Sequence, residues 1–135
     1  MEAQLIVYPG FMMVLLTMIL YIKNRLEVGK AFQNKEIKSS YLKIYQDIPP
    51  DYVEITRQTL KNQFELPILF YFLIALIYGR GNINQLDIVF AWIFVFSRYI
   101  HAYVRLSSNY VRNRAKIFIF GFLFLLVGWV NFLIN

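Results

Sequence analysis

Polar and charged side chains recur at helical spacing inside the apolar second half of the chain. They follow one another at intervals of three, four, four and three residues: Arg98, His101, Arg105, Asn109 and Arg112. This spacing predicts that all five lie along one stripe of a single helix. An arginine near the middle of a bilayer costs about 2.5–3.5 kcal/mol, so the stripe must face protein or a water-filled cavity.

A second set of polar side chains, which includes one carboxylate, lies on the preceding predicted helix. With a rise of about 1.5 Å per residue, Arg98 lies roughly 15 Å from the outer membrane surface and Glu65 roughly 20 Å. The polar side chains at roughly 20 to 25 Å are His101, Lys61, Asn62 and Arg105. Polar groups on two helices thus reach matching depths.

Two interpretations of these groups remain open. In the first, Glu65 and Arg98 form a buried ion pair that satisfies both charges, and the other side chains extend to the interface. In the second, the surplus positive charge binds an anionic ligand, because one carboxylate cannot neutralise Lys61, Arg98 and Arg105 together.

Four apolar segments must position these side chains. Of the 135 residues, 59% are hydrophobic and 16% are charged, whereas a soluble domain is about half apolar and a quarter charged. A hydrocarbon layer of roughly 30 Å takes about 20 helical residues to cross. We therefore predict an all-α integral membrane four-helix bundle, a single domain over residues 1–135 with helices at residues 3–22, 51–78, 85–109 and 117–134.

Breaks between the helices follow from glycine, proline and charge. Pro9-Gly10 is expected to bend the outer end of the first helix. Residues 23–46 are rich in both signs of charge and predict a helical extension plus a surface loop, with Asp51 as the N-cap of the second helix. The run Gly79-Arg80-Gly81-Asn82 predicts a tight turn.

The distribution of Lys and Arg predicts the orientation. Eight of the 14 lie between Lys23 and Lys61, three lie between Arg112 and Lys116, one is Arg80, and neither terminus has any. The positive-inside rule then places both termini outside and both basic regions in the cytoplasm. Because the net charge of +6 arises beside apolar spans, we expect contact with anionic lipid and no binding of nucleic acid.

Several kinds of site are excluded or disfavoured. The chain has no cysteine, so any thiol chemistry requires a thiol brought by a small molecule. His101 is the only histidine and has no acidic pair beside it in sequence, so no metal site is expected. Neither G-x-S-x-G nor a phosphate-binding glycine loop is present.

Short motifs on each predicted helix resemble one known family. The second helix carries Asn62-Gln63-Phe64-Glu65-Leu66-Pro67, then Ile68-Leu69-Phe70-Tyr71; the third carries Arg98-Tyr99-Ile100-His101, and Arg114 opens the fourth. Arg25-Leu26 and Lys30-Ala31-Phe32 lie at the basic end of the first. In this combination the chain resembles the membrane-associated proteins in eicosanoid and glutathione metabolism, the MAPEG family.

The resemblance implies a homotrimer of four-helix subunits that binds glutathione between subunits near the cytoplasmic face. It implies transfer of glutathione to lipophilic electrophiles, or peroxidase chemistry, on small molecules dissolved in the membrane. The predicted glutathione-binding residues are Arg25, Lys61, Asn62, Glu65, Arg98, His101 and Arg105. The residue predicted to activate the thiol is Arg114.

The chain departs from the eicosanoid enzymes of the family at three places. Arg105 stands where they have a tyrosine, Lys61 where they have an arginine, and Pro67 comes slightly early. These differences favour a bacterial-type branch, located in the inner membrane. They leave two functions open: a glutathione-dependent transferase or peroxidase, and a non-catalytic scaffold or small subunit of a larger membrane complex.

Overall fold

Four long helical segments make up the fold in the computed structural model, which describes residues 2–135 and the side chains from Ala3 onward. In chain order the helices are α1 (Glu2–Leu5), α2 (Val7–Gln33), α3 (Ser39–Ile44), α4 (Asp51–Lys61), α5 (Leu66–Arg80), α6 (Gln85–Leu106) and α7 (Val111–Ile134), with a 3-10 turn at Asn62–Phe64. Four spans are long and apolar enough to cross a membrane: Ala3–Gln33, Asp51–Arg80, Gln85–Leu106 and Val111–Ile134. The predicted all-α architecture of four membrane-spanning helices agrees with this arrangement.

The helix ends differ from the predicted ones where the sequence is charged. The first span continues past Ile22 to Gln33, which gives the predicted helical extension its length, whereas α7 begins at Val111 rather than at residue 117. Both extensions are polar, and both keep helical backbone hydrogen bonds outside the apolar blocks. Apolar composition marks the part of a helix that meets lipid, whereas its backbone hydrogen bonds can continue into water.

Prolines divide the first and second spans. A proline lacks an N–H and its ring clashes with the carbonyl four residues earlier, which for Pro9 is Leu5 and for Pro67 is Gln63. The first span is accordingly interrupted at Ile6, and the second passes through the 3-10 turn before α5 begins at Leu66. Each proline then lies in the first turn of the helix that follows, where its missing N–H removes no helical hydrogen bond.

The third span ends earlier than predicted, and this corrects the proposed stripe of five residues. Ser107 Oγ donates to the carbonyl of Tyr103 at 2.7 Å, and Asn109 has a left-handed backbone with φ 48°. Short polar side chains of this kind form hydrogen bonds to the backbone that compete with those of the helix. Asparagine also tolerates the left-handed conformation. Asn109 and Arg112 therefore lie beyond α6, and Arg112 belongs to α7.

The spans pack around one apolar core contributed by all four. Its buried residues are Ile6, Met13, Leu16, Leu20, Phe70, Leu73, Ile74, Ile77, Ala91, Phe94, Val95, Ala102 and Leu125. The rings of Phe70 and Phe94 stack at 4.8 Å between centroids, which holds α5 against α6. A Cβ on Gly121 would lie 2.4 Å from Ser97 Oγ, so a residue without a side chain lets α6 and α7 approach closely.

The turn between the second and third spans begins later than the predicted tight turn, since Gly79 and Arg80 still belong to α5 and only Gly81 and Asn82 lie beyond it. α5 ends at Arg80, and Gly81 follows with φ 75°, a conformation that glycine adopts without strain. α6 then opens with a capping box, in which Asn84 accepts from the first turn and the Asp87 side chain accepts from the Asn84 backbone N–H.

The opposite, basic end carries a second, smaller core outside the apolar blocks. It consists of Ala31, Ile37, Tyr41 and Val53. Asn24 Nδ2 donates to Thr56 Oγ1 at 3.1 Å, joining α2 to α4. The N-cap of α4 is Pro50, without a side-chain hydrogen bond, so the prediction of Asp51 as N-cap is wrong.

Candidate functional site

The proline break in the second span places three polar residues between α4 and α5. Gln63 is buried, and its Oε1 has no hydrogen-bond donor among residues 2–135. Glu65 has φ −105° and ψ −105°, outside helical values, and its side chain is exposed. Asn62, which opens the 3-10 turn, is half-buried. The break thus turns polar groups of one helix toward different sides.

The third span carries three basic side chains into the bundle. Arg98 is 1% exposed, His101 3% and Arg105 9%. The Arg98 guanidinium lies 5.7 Å from the centroid of the Phe118 ring on α7, and the His101 ring lies 5.9 Å from the same ring. The first three members of the predicted stripe therefore face protein, as the cost of lipid contact requires.

Arg98 has no carboxylate partner within the described chain. Its Nε and Nη2 are buried without an acceptor, and the ion pairs found among residues 2–135 are Lys23–Glu27, Arg57–Glu54 and Arg80–Asp87. The predicted Glu65–Arg98 pair is therefore wrong for the single subunit. The depth count assumed a continuous second helix, whereas the break before Pro67 leaves the Glu65 side chain exposed.

Two open cavities lie beside Asn62 and Arg105, which line both. The first, the Lys61 cavity, has a volume of about 570 Å³ and is lined by Tyr45, Glu54, Arg57, Gln58, Leu60, Lys61, Asn62, Phe64, Glu65 and Arg105. The second, the Arg114 cavity, has a volume of about 380 Å³ and is lined by Asn62, His101, Arg105, Arg114, Ala115, Phe118 and Ile119. Six of the eight predicted site residues thus line one or both cavities.

The two remaining predicted residues lie elsewhere. Arg98 is buried and lines neither cavity, although its helix supplies His101 and Arg105 to their walls. Arg25 is exposed on α2 and also lines neither cavity. One subunit therefore does not bring Arg25 together with the other predicted ligands.

Gln58 holds Arg105 between the two cavities, and this contact was not predicted. Gln58 Nε2 donates to Glu54 Oε1 at 2.7 Å. The amide oxygen of Gln58 therefore faces Arg105 and accepts from Arg105 Nη2. Arg105 Nε remains buried without an acceptor among the described residues. Part of the signal was available in the sequence, since Glu54 and Gln58 are four residues apart and so lie on one helical face.

Arg114 lies in the first turn of α7 and is half-buried. Its Nη1 donates to Asn109 Oδ1 at 2.8 Å. The left-handed corner that ends α6 therefore also fixes the side chain of an arginine in the Arg114 cavity.

The two cavities differ in charge. The Lys61 cavity has both signs, since Glu54 and Glu65 line it beside three cations, whereas no Asp or Glu of the described residues lines the Arg114 cavity. A wall with Arg105, Arg114 and no carboxylate attracts anions, and guanidinium groups bind carboxylates with two parallel hydrogen bonds. The pair of cavities therefore suits a ligand with several negative charges and one positive charge.

Comparison with known proteins gives one match. The family model for the MAPEG family matches residues 6–134, nearly the whole chain. No curated protein and no solved structure matches significantly. The resemblance inferred from the short motifs is therefore confirmed.

Proposed function

Because the chain belongs to the MAPEG family, whose members include glutathione transferases, peroxidases and non-catalytic proteins, we propose that it is a glutathione-dependent transferase or peroxidase acting on lipophilic electrophiles in the membrane. The observation that carries this proposal is the Arg114 cavity, which has two guanidinium groups and no carboxylate in its wall. Neighbouring Arg98 adds a buried cation without an acceptor among residues 2–135. An anionic ligand would accept hydrogen bonds from these cations and balance their charge.

Glutathione fits the charges of the two cavities. It has two carboxylates, one ammonium and one thiol, and so carries a net negative charge. Glu65, exposed in the Lys61 cavity, is suited to accept from the ammonium, and Lys61 and Arg105 to bind carboxylates. Asn62 supplies an amide to both cavities and His101 an imidazole to the Arg114 cavity, and Arg98 adds positive charge on the same helix as His101.

Arg114 is the residue we assign to thiol activation. Bound glutathione would supply the sulfur nucleophile, whose thiolate is the reactive form. A guanidinium within about 4–6 Å favours the charged form and lowers the pKa of the thiol by about 1–3. Asn109 restrains Arg114 through their 2.8 Å hydrogen bond, so the charge stays at the cavity mouth.

The proposal includes assembly as a homotrimer. Arg25 lies on α2 away from both cavities of its own subunit, and the Lys61 cavity is open. A neighbouring subunit could close that opening and bring its Arg25 to the site. We further propose that this basic end faces the cytoplasm of a bacterium, with both termini on the other side of the inner membrane.

Calorimetry with reduced glutathione tests the binding step on purified protein in detergent. Wild-type protein should bind at or below millimolar concentration. Arg114→Ala should retain binding but lose the ultraviolet absorbance of the thiolate and the conjugation of a generic aromatic electrophile. Lys43→Ala removes an exposed cation of α3 and serves as the charge-matched control, with both signals unchanged.

The scaffold function has one observation in its favour. Arg105 and Arg114 already have acceptors within the subunit, Gln58 and Asn109, so these two cations are partly satisfied without a ligand. If wild-type protein neither binds millimolar glutathione nor forms thiolate, the enzyme proposal fails and the scaffold function replaces it.

A further inference from the structure

An apolar groove runs between the third and fourth spans, on another face of α7 from the Arg114 cavity. Its volume is about 430 Å³, and its walls include Ile93, Phe96 and Ile100 of α6 and Lys116, Ile117 and Phe120 of α7. It shares no residue with the Lys61 or Arg114 cavities. From Ile93 to Ile100 the α6 wall is roughly 10 Å long, enough for the upper part of an acyl chain.

The close contact between α6 and α7 accounts for the groove. Ser97 lines it and also faces Gly121, where a Cβ would lie 2.4 Å from Ser97 Oγ. Because the two helix backbones meet there through small residues, the larger side chains at Phe96, Ile100 and Phe120 stand on either side of the contact. These three side chains are exposed and leave a channel open to the membrane.

Uncompensated positive charge lies at one end of this groove. Lys116 lines it, and Arg112 precedes Lys116 by four residues, on the same face of α7. Both side chains are exposed, and neither is in an ion pair within residues 2–135. The sequence has no Asp or Glu after Asp87, so α7 itself and the rest of α6 offer these cations no carboxylate.

We propose that this groove is a binding site for an anionic phospholipid. One acyl chain lies between α6 and α7, and the phosphate contacts Lys116 and Arg112. A zwitterionic headgroup is disfavoured, because its ammonium would meet two cations with no acidic residue of α7 to receive it. Basic pockets between membrane helices are known to select anionic headgroups.

Native mass spectrometry of the whole protein in detergent tests this proposal, with dioleoyl phosphatidylglycerol and dioleoyl phosphatidylcholine as probes. Wild-type protein should retain phosphatidylglycerol in preference to phosphatidylcholine. Each basic residue near an anionic headgroup strengthens binding roughly fivefold, so Arg112→Gln with Lys116→Gln should weaken phosphatidylglycerol binding by roughly 25-fold. Phosphatidylcholine binding should hardly change.

Two further variants distinguish lipid binding in the groove from a general effect of the protein's net charge. Lys35→Gln with Lys38→Gln removes two exposed loop cations outside the groove and should leave phosphatidylglycerol binding unchanged. Ile100→Trp keeps both groove cations but fills the groove, and should reduce binding. This variant also tests the site if the double α7 variant fails to fold.

Four results would overturn the proposal. Three are equal retention of the two lipids by wild-type protein, equal losses in the loop and α7 double variants, and full retention by Ile100→Trp. The fourth is a change in the number of subunits on filling the groove, since the occupant would then be a second copy of the chain. None of these results depends on glutathione binding.

Discussion

Asn131 donates a 2.7 Å hydrogen bond to Asp87 Oδ1, which ties the far end of the fourth span to the start of the third. The other carboxylate oxygen accepts from Arg80 Nη2 at 2.7 Å and from the backbone N–H of Asn84 at 3.1 Å. The Asp87 side chain is fully buried. Its charge is thus compensated by a cation and two further donors, in contrast to Arg98 farther along the same helix.

Asp87→Ala should destabilise the protein by about 3 kcal/mol or more, because it leaves Arg80 partly buried without its partner and removes one of the two hydrogen bonds of the capping box of α6. Thermal unfolding in detergent measures this change. Glu27→Ala removes the acid of the partly exposed Lys23–Glu27 pair and should cost less than about 1 kcal/mol. Similar losses in the two variants would contradict a structural role for the buried network.

Gly121→Ala should also destabilise the protein, since its Cβ would lie 2.4 Å from Ser97 Oγ. The expected cost is about 1–3 kcal/mol, typical of overpacking. Gly29→Ala is the matched control: no atom lies within 4 Å of the added Cβ, and alanine favours helix by about 0.5–1 kcal/mol. Ser97→Ala in the Gly121→Ala background should restore part of the lost stability. If it restores none, the contact with Ser97 Oγ is not the cause of the destabilisation.

Gln58→Leu should weaken glutathione binding about tenfold or more, because Arg105 loses the acceptor that holds it between the cavities and hydrogen bonds to charged groups contribute about 1.5–3 kcal/mol. Calorimetry measures the dissociation constant. Gln46→Leu makes the same change at an exposed loop position and should leave binding unchanged. If wild-type protein binds glutathione and Gln58→Leu binds it equally well, the role of Gln58 is excluded.

The native chain has no cysteine, so single cysteines report the orientation directly. A Lys38→Cys variant should resist an impermeant thiol reagent added outside intact cells and react after the cells are opened. Asn82→Cys, in the turn at the opposite end, should react from outside. The reverse pattern would invert the orientation predicted from the distribution of Lys and Arg.

Native mass spectrometry should detect a trimer of the 16.1 kDa chain. In mixed trimers, Arg25→Ala subunits should lower glutathione affinity when combined with wild-type subunits, since each site would receive Arg25 from a neighbour. A monomer at every concentration would rule out both the trimer and a site between subunits.

Much of the fold was predictable because the length of an apolar segment and the residues that favour a turn are properties of the local sequence. Four apolar blocks, the glycines near Arg80 and the basic end of each span followed from the sequence, and so did six residues of the two cavities. The helix ends were less predictable. Ser107 and Asn109 end α6 through side-chain and backbone contacts that a count of helical spacing does not include.

The missed contacts concern the direction of side chains. Glu65 and Arg98 have opposite charge and similar depth, yet the break before Pro67 separates them, and spacing alone cannot give the angle of such a break. Gln58 was missed for another reason. It has no charge, and its importance comes from the two partners that its amide joins, Glu54 and Arg105.

The buried guanidinium of Arg98 has an evolutionary consequence. A buried charge without a partner costs free energy, so Arg98→Met, similar in length and neutral, should make the folded protein more stable. Selection for stability alone would favour that exchange in any lineage. Under the function proposed above, the arginine is kept for the anion that it binds, and a descendant that had lost this ligand would be free to replace it.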